Sequence, residues 1–238
     1  MAYELKYTLL DNDTYEVSGY TGKPIDVVIP GEYNGKPVTR IDSSAFFGCS
    51  SLTSVEIPDS VTLIGGRAFA NCGNLTEIVI PDSVTSIGEW AFGNCVNLTE
   101  IVIPDSVTSI SEQAFRDCIS LTSVVIPDSV IVIGELAFAS CKSLTSVVIP
   151  DSVTTIGRYT FAWCSSLTSV VIGDSVTSIG DSVFDSCSSL TSVVIPDSVT
   201  SIGNKAFGGC TSLISIILLN DTPINISNDV FTGTNATF

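Results

Sequence analysis

The stretch Leu121 to Ser143, LTSVVIPDSVIVIGELAFASCKS, recurs seven times in this chain with almost no change of length. Its cysteine marks the beat. Cys49, Cys72, Cys95, Cys118, Cys141, Cys164, Cys187 and Cys210 stand 23 residues apart, and they are all eight cysteines of the chain. Leucine holds the same step from Leu52 to Leu213, and phenylalanine holds it from Phe46 to Phe207. A fixed period of this size is the signature of a solenoid, one supersecondary unit per repeat.

Within a unit, Leu121, Val124, Ile126, Val130, Ile133, Ala137, Phe138 and Cys141 are the positions expected to point inward. The Leu-x-x-Val-x-Ile run ends in the period-2 alternation of a short strand. Pro127-Asp128-Ser129 stops it, because proline brings no amide to a ladder and Asp and Ser favour turns. Val130 and Ile133 lie on the return path, Gly134 permits a bend, and Ala-Phe-x-x-Cys fits one tight helical or 3₁₀ turn. The fold class expected is therefore a β-rich (α/β) right-handed solenoid of 23-residue coils, each with one short parallel strand and one short helical turn. A single coil buries too little to offset the entropy of ordering its backbone, so stability must come from neighbours.

The pattern LTSVVIPDSVTxIGxxAFxxC resembles the BspA-type (Treponema-type) class of leucine-rich repeat, over about residues 27 to 231. The resemblance implies a surface-exposed or secreted protein of bacterial or protozoan attachment, with host extracellular-matrix proteins as ligands. It carries over no binding residues, because the matched positions are core positions. Related chains typically add one more short strand after the point where this one stops, at Thr237-Phe238, so that end is expected to be open.

Three regions follow. Residues 1–37 read as a cap and an irregular first coil: LKYTLL and TYEVSGY flank Asp11-Asn12-Asp13 as a hairpin, which would cover an exposed ladder edge. Val27-Val28-Ile29-Pro30 lies 28 residues before Val55-Glu56-Ile57-Pro58, the extra five falling within the insertion GEYNGK. Residues 38–212 are regular repeats, with Ser111 for Gly, Gly173 for Pro, and Thr160 and Val183 for Ala. Residues 213–238 are a partial repeat that loses the consensus at Asp221-Thr222-Pro223 and regains it at Val230-Phe231, one residue late.

Apolar residues make up 45% of the chain and charged ones 14%, with a net charge of −16 and no histidine. Such a balance excludes nucleic acid, whose phosphates need a basic face, and disfavours anionic membranes. No run approaches the 18 apolar residues of a membrane span. MAYELKYTLL has neither the basic nor the apolar region of a signal peptide; the expectation is that a leader has been lost and Met1-Ala2 is an added start, the alternative being an intracellular protein. The cysteines are expected to be free and inert: neighbours in the column stand about 4.8 Å apart, but each fills a core slot with its side chain parallel to the next.

Stacking turns each repeat position into a surface column. The outward position between the two buried strand residues reads Glu56, Val79, Val102, Val125, Val148, Val171, Val194, Ile217, an apolar stripe of the kind that marks interaction surfaces or simply a ladder of β-branched residues. The aspartates after proline, Asp59 to Asp197, are expected in Asx turns, with a calcium ladder as the alternative. One column refuses to repeat: Arg67, Trp90, Gln113, Leu136, Tyr159, Ser182, Lys205, and four residues on Asn71, Asn94, Asp117, Ser140, Trp163, Ser186, Gly209. Divergence in an otherwise copied chain reads as structural freedom, or as an aromatic-centred patch of Trp90, Leu136, Tyr159 and Trp163. Chemistry is thin. There is no histidine base, no Gly-rich phosphate loop and no base beside the abundant serines, so no catalytic, metal or cofactor residue is assigned.

Sequence alone thus points to a non-enzymatic, protein-binding module without cofactors. The alternatives are a structural stalk that self-associates through its C-terminal edge (Ile216 to Leu219) or its stripe, and a repeat array regularised by design without a native partner.

Overall fold

A computed structural model describes residues 3–221 and 223–235; the expected open end at Thr237-Phe238 lies outside them. The chain winds as a parallel β-solenoid. In each coil a short strand such as Ser-Val-Val-Ile or Glu-Ile-Val forms, and these strands pair in register with a neighbouring coil in successive groups, Asp26–Val28 with Ser54–Glu56 and Glu77–Val79, then Glu100–Val102 with Ser123–Val125, and two further pairs. Ser146, Val147, Val148 and Ile149 face Ser169, Val170, Val171 and Ile172, and Ser192–Ile195 faces Ser215–Leu218 in the same way.

The return path departs from expectation. Val132–Ile133 forms a second short strand, and its counterparts from Ser109–Ile110 to Asn225–Ile226 make a continuous parallel ladder. Each regular coil therefore carries two strands, not one. The reason is local: Ser-Ile, Val-Ile and Thr-Ile pairs send one residue out and one into the core, as a strand requires.

The expected helical turn is also corrected, since no described residue is helical. From Gly134 to Cys141 the amides alternate in direction. Ala137, Ala139 and Cys141 donate back three residues within the coil, to Gly134, Leu136 and Phe138. Leu136, Phe138 and Ser140 donate to Arg158, Thr160 and Ala162 of the next coil, at 2.8 to 2.9 Å. A helix points every amide along its own axis; here half of them are spent on the neighbouring coil. Gly134 serves close approach more than bending. A methyl group there would fall 2.7 Å from the backbone nitrogen of Glu112 in the preceding coil. Where Ser111 replaces the glycine, its hydroxyl donates to the carbonyl of Ile87 at 2.5 Å.

All the inward positions of the type unit are buried except Val124, which is half-buried. Phenylalanine rings from Phe46 to Phe231 stack nearly parallel, for example 5.4 Å apart at Phe92–Phe115 and 5.5 Å at Phe138–Phe161. Tyr20 heads the stack at 5.7 Å from Phe46. It belongs to a hairpin of β1 (Glu4–Leu9) and β2 (Tyr15–Thr21), and β2 pairs with Lys36–Ile41 in a return-path sheet of the first coils that runs on through Leu63–Ile64 to Ser86–Ile87. Substitutions in the core are absorbed locally: the Thr160 hydroxyl donates to the carbonyls of Gly157 and Gly134.

The eight cysteines are free and buried. Each thiol from Cys72 to Cys210 donates to the phenylalanine carbonyl of the preceding coil, as from Cys141 to Phe115 at 3.3 Å. Cysteine suits the slot because it is small, apolar and still a donor. Burial pushes the Cys118 and Cys164 thiols up to about 12. Unfolded thiols titrate near about 8.5, so the unfolded chain loses these protons first. Stability is therefore intact below that pH and falls as pH rises towards the folded values. At pH 10 each such thiol should cost about 2 kcal/mol relative to neutral pH, at ~1.36 kcal/mol per pH unit. Urea midpoints at pH 7 and pH 10 check this: the parent should lose much more than a Cys118→Ala, Cys164→Ala variant, and equal losses would show that the thiols are not the cause.

Candidate protein-binding site

The stripe lies on the outer face of the main sheet. Val79, Val102, Val125, Val148, Val171, Val194 and Ile217 are each between 44% and 67% exposed, and at the last of them exposed Leu218 widens the apolar surface. Val28 of the irregular first coil continues it, in register with Glu56 and then Val79. The stripe is thus a single line that crosses every described coil, interrupted only by Glu56.

Beside it, the threonine column is turned to the scaffold: Thr122 and Thr168 donate their hydroxyls to the Thr99 and Thr145 carbonyls of the preceding coil at 3.1 and 3.0 Å. The serine after the aspartate does the same at Ser60, Ser83, Ser106, Ser129, Ser152 and Ser198, as from Ser129 to the Val107 carbonyl at 2.7 Å. The Asx turns expected of the aspartates give way to this arrangement. The turn is closed by a backbone bond from Val130 to Pro127. Among the described residues only Asp151 of the column accepts an amide, from Asp174 at 2.9 Å. The other carboxylates, from Asp59 to Asp197, stand exposed.

Charge is unevenly laid on this face. The column two residues before the valines reads Asp26, Ser54, Glu77, Glu100 and then only serine, so the first coils add carboxylates to the aspartate row. All nine Lys and Arg residues lie elsewhere: Lys6 in β1, Lys23 in the loop before the first main-sheet strand, Lys36 and Arg40 on the return-path sheet of the first coils, Lys142 after its cysteine, and Arg67, Arg116, Arg158 and Lys205 in the turn segments. That segregation was legible in the sequence once the columns were aligned, and residue-by-residue reading passes over it.

The divergent columns have a physical identity. Arg67, Trp90, Gln113, Leu136, Tyr159, Ser182 and Lys205, and Asn71, Asn94, Asp117, Ser140, Trp163, Ser186 and Gly209, all have φ between 51° and 64°. They are the two left-handed positions of each coil, required where a turn must return its amide to the neighbour. The columns are consequently not free. β-Branched residues strain most at positive φ, and none occurs in either column despite their abundance elsewhere. The aromatic residues fall into two groups. Trp90 lies over Gly93, whose substitution by alanine would place a methyl 2.2 Å from the indole, and the Arg116 guanidinium sits 5.5 Å from the ring centre. Three coils on, Tyr159 and Trp163 stack at 5.8 Å, with Arg158 at 5.7 Å from the tyrosine ring, and Leu136 half-buried in the coil before. The structure does not join Trp90 to the other three in one patch.

The family model described as BspA type leucine rich repeat region matches residues 29–145 and 132–238. The chain belongs to the BspA-type leucine-rich repeat family. A solved leucine-rich repeat protein of T. pallidum is 34% identical over 88% of this chain and 87% of its own, with a TM-score of 0.58. The fold recurs at lower identity in a leucine-rich repeat protein of Eubacterium ventriosum (18% identity, 100% and 96% covered, TM-score 0.54) and in the pneumococcal vaccine antigen PcpA (16% identity, 99% and 86% covered, TM-score 0.54). No curated protein matches this chain in sequence.

The left-handed columns are directly testable. Ser140→Gly should stabilise by up to about 1 kcal/mol by relieving the positive φ, whereas Ser140→Val should destabilise by more than about 1 kcal/mol. Denaturant titration of the two variants decides it; equal effects would remove the backbone explanation.

Proposed function

We propose that this chain is a non-enzymatic protein-binding module of a cell-surface or secreted protein, and that it binds through the outer face of its main sheet. The observation that carries this reading is the stripe from Val79 to Ile217: half-exposed β-branched residues in one unbroken direction, flanked by threonine and serine hydroxyls such as those of Thr122, Thr168 and Ser129 that are bonded to the preceding coil. Exposed apolar area of that continuity costs solubility unless something covers it. The rigid ladder also presents it without the ordering cost that a flexible loop would incur on binding. Family membership supports surface attachment, with an extracellular-matrix protein as the ligand class. The aromatic groups in the turn segments support this surface less well, because their positions are set by backbone constraint and they are split between distant coils.

The test is binding to immobilised extracellular-matrix proteins by surface plasmon resonance. The parent should bind, Val125→Glu with Val148→Glu should weaken binding at least tenfold, and Tyr159→Ala with Trp163→Ala should leave it unchanged. Loss in the aromatic variant with retention in the stripe variant would move the site to the turn segments.

A further inference from the structure

Resting on that reading, we infer that the first three coils of the main sheet form a docking groove for a cationic segment of a partner protein, one in which lysine or arginine and aliphatic residues take turns at every second position. A groove of about 820 Å³ opens there, with Val28, Glu56 and Val79 along its floor and Asp26, Glu77, Asp59 and Asp82 at its sides. Its shape is fixed by the ladder, because Asp26, Ser54 and Glu77 are register partners, as are Val28, Glu56 and Val79. The two valines, with Glu56 between them, therefore lie between the Asp26, Ser54, Glu77 column on one side and Asp59 and Asp82 on the other.

Three features commit the occupant to this chemistry. The walls are acidic without a compensating cation, since every Lys and Arg of the chain lies off this face. Asp26 is held in place by the hydroxyls of Thr53 and Ser54, each at 2.7 Å, so one wall is preorganised. The floor is exposed apolar surface, with Val79 67% and Val28 58% exposed, which a fully hydrated ion would leave uncovered. A long cationic side chain satisfies both halves: its aliphatic stem lies on the valines while its head reaches the carboxylates. In an extended segment every second residue faces the sheet, so cationic and aliphatic residues that take turns at those facing positions seat together, the aliphatic ones on the valine line and the charged ones at the carboxylates. From the Ser123–Val125 strand onward the Glu column turns to serine, and the later coils lose one of the two acidic walls. The same valine line thus becomes selective at one end. Charge complementarity of this kind sets partner choice and on-rate.

The experiment uses the full chain and fluorescent synthetic peptides read by anisotropy: repeats of Arg-Ser-Val-Ser (Arg/Val), Arg-Ser-Ser-Ser (Arg/Ser) and Glu-Ser-Val-Ser (Glu/Val). The Arg/Val peptide should bind, the Arg/Ser peptide at least fivefold more weakly, and the Glu/Val peptide not at all. Glu56→Lys with Glu77→Lys should weaken Arg/Val binding at least tenfold, and Glu56→Gln with Glu77→Gln at least threefold. Glu89→Lys with Glu112→Lys, which changes net charge equally in the turn segments, should leave it nearly unchanged. Circular dichroism confirms that each variant is folded. No binding of the Arg/Val peptide, equal binding of Arg/Ser, or equal weakening by both lysine pairs overturns the assignment. If matrix binding by the parent persists and still depends on Val125 and Val148, such a failure touches only the partner's chemistry and not the stripe.

Discussion

The structure depends on a hydrogen bond between coils. In every turn segment alternate amides leave their own coil and bond to the next, as Leu136, Phe138 and Ser140 do to Arg158, Thr160 and Ala162. Directing them outward demands positive φ at two positions per coil. It also draws the backbones close where coils meet, at a position held by glycine in most coils and by Ser111 in one. The same approach brings the phenylalanine rings into a continuous offset stack and each thiol onto a carbonyl one coil back. These features are one geometry seen from different atoms. Each coil is held by its neighbours, and so stability accumulates along the solenoid.

Much of this was legible in the period. The 23-residue step of Cys, Leu and Phe identified the solenoid, and the inward positions were those that alternate or recur with apolar side chains. Ala-Phe-x-x-Cys misled because residues three and four apart share a face in a helix, and consecutive turns give the same spacing. The distinguishing cue was present. Two columns that avoid Val, Ile and Thr, and that accumulate Asn, Asp, Ser and Gly, point to left-handed backbone. Their aromatic members drew attention to recognition first. The second strand was hidden for a different reason: two residues are too few for periodicity to declare.

Candidate surfaces were legible only in part. The valine stripe could be read because strand alternation places it outside, and the structure finds it exposed. The asymmetry along it could not be seen in one unit, because it arises from comparing Glu77 and Glu100 with Ser123 and its successors. A scaffold this repetitive offers every coil the same apolar line, and the irregular substitutions beside that line give its ends different chemistry. Specificity in such a protein resides in departures from the consensus, which contribute little to the fold.

If each coil is held by the one after it, removing a whole coil should transfer its bonds to the next. Excising residues 121–143 brings the turn of Gln113, Phe115 and Asp117 against that of Arg158, Thr160 and Ala162, in place of Glu135, Ala137 and Ala139. Amide hydrogen exchange on the shortened chain measures this directly. The amides of Gln113, Phe115 and Asp117 should remain as protected as in the parent, their bonds re-formed across the junction. Rapid exchange at those amides, with protection retained in coils away from the junction, would contradict the claim that coils are interchangeable neighbours.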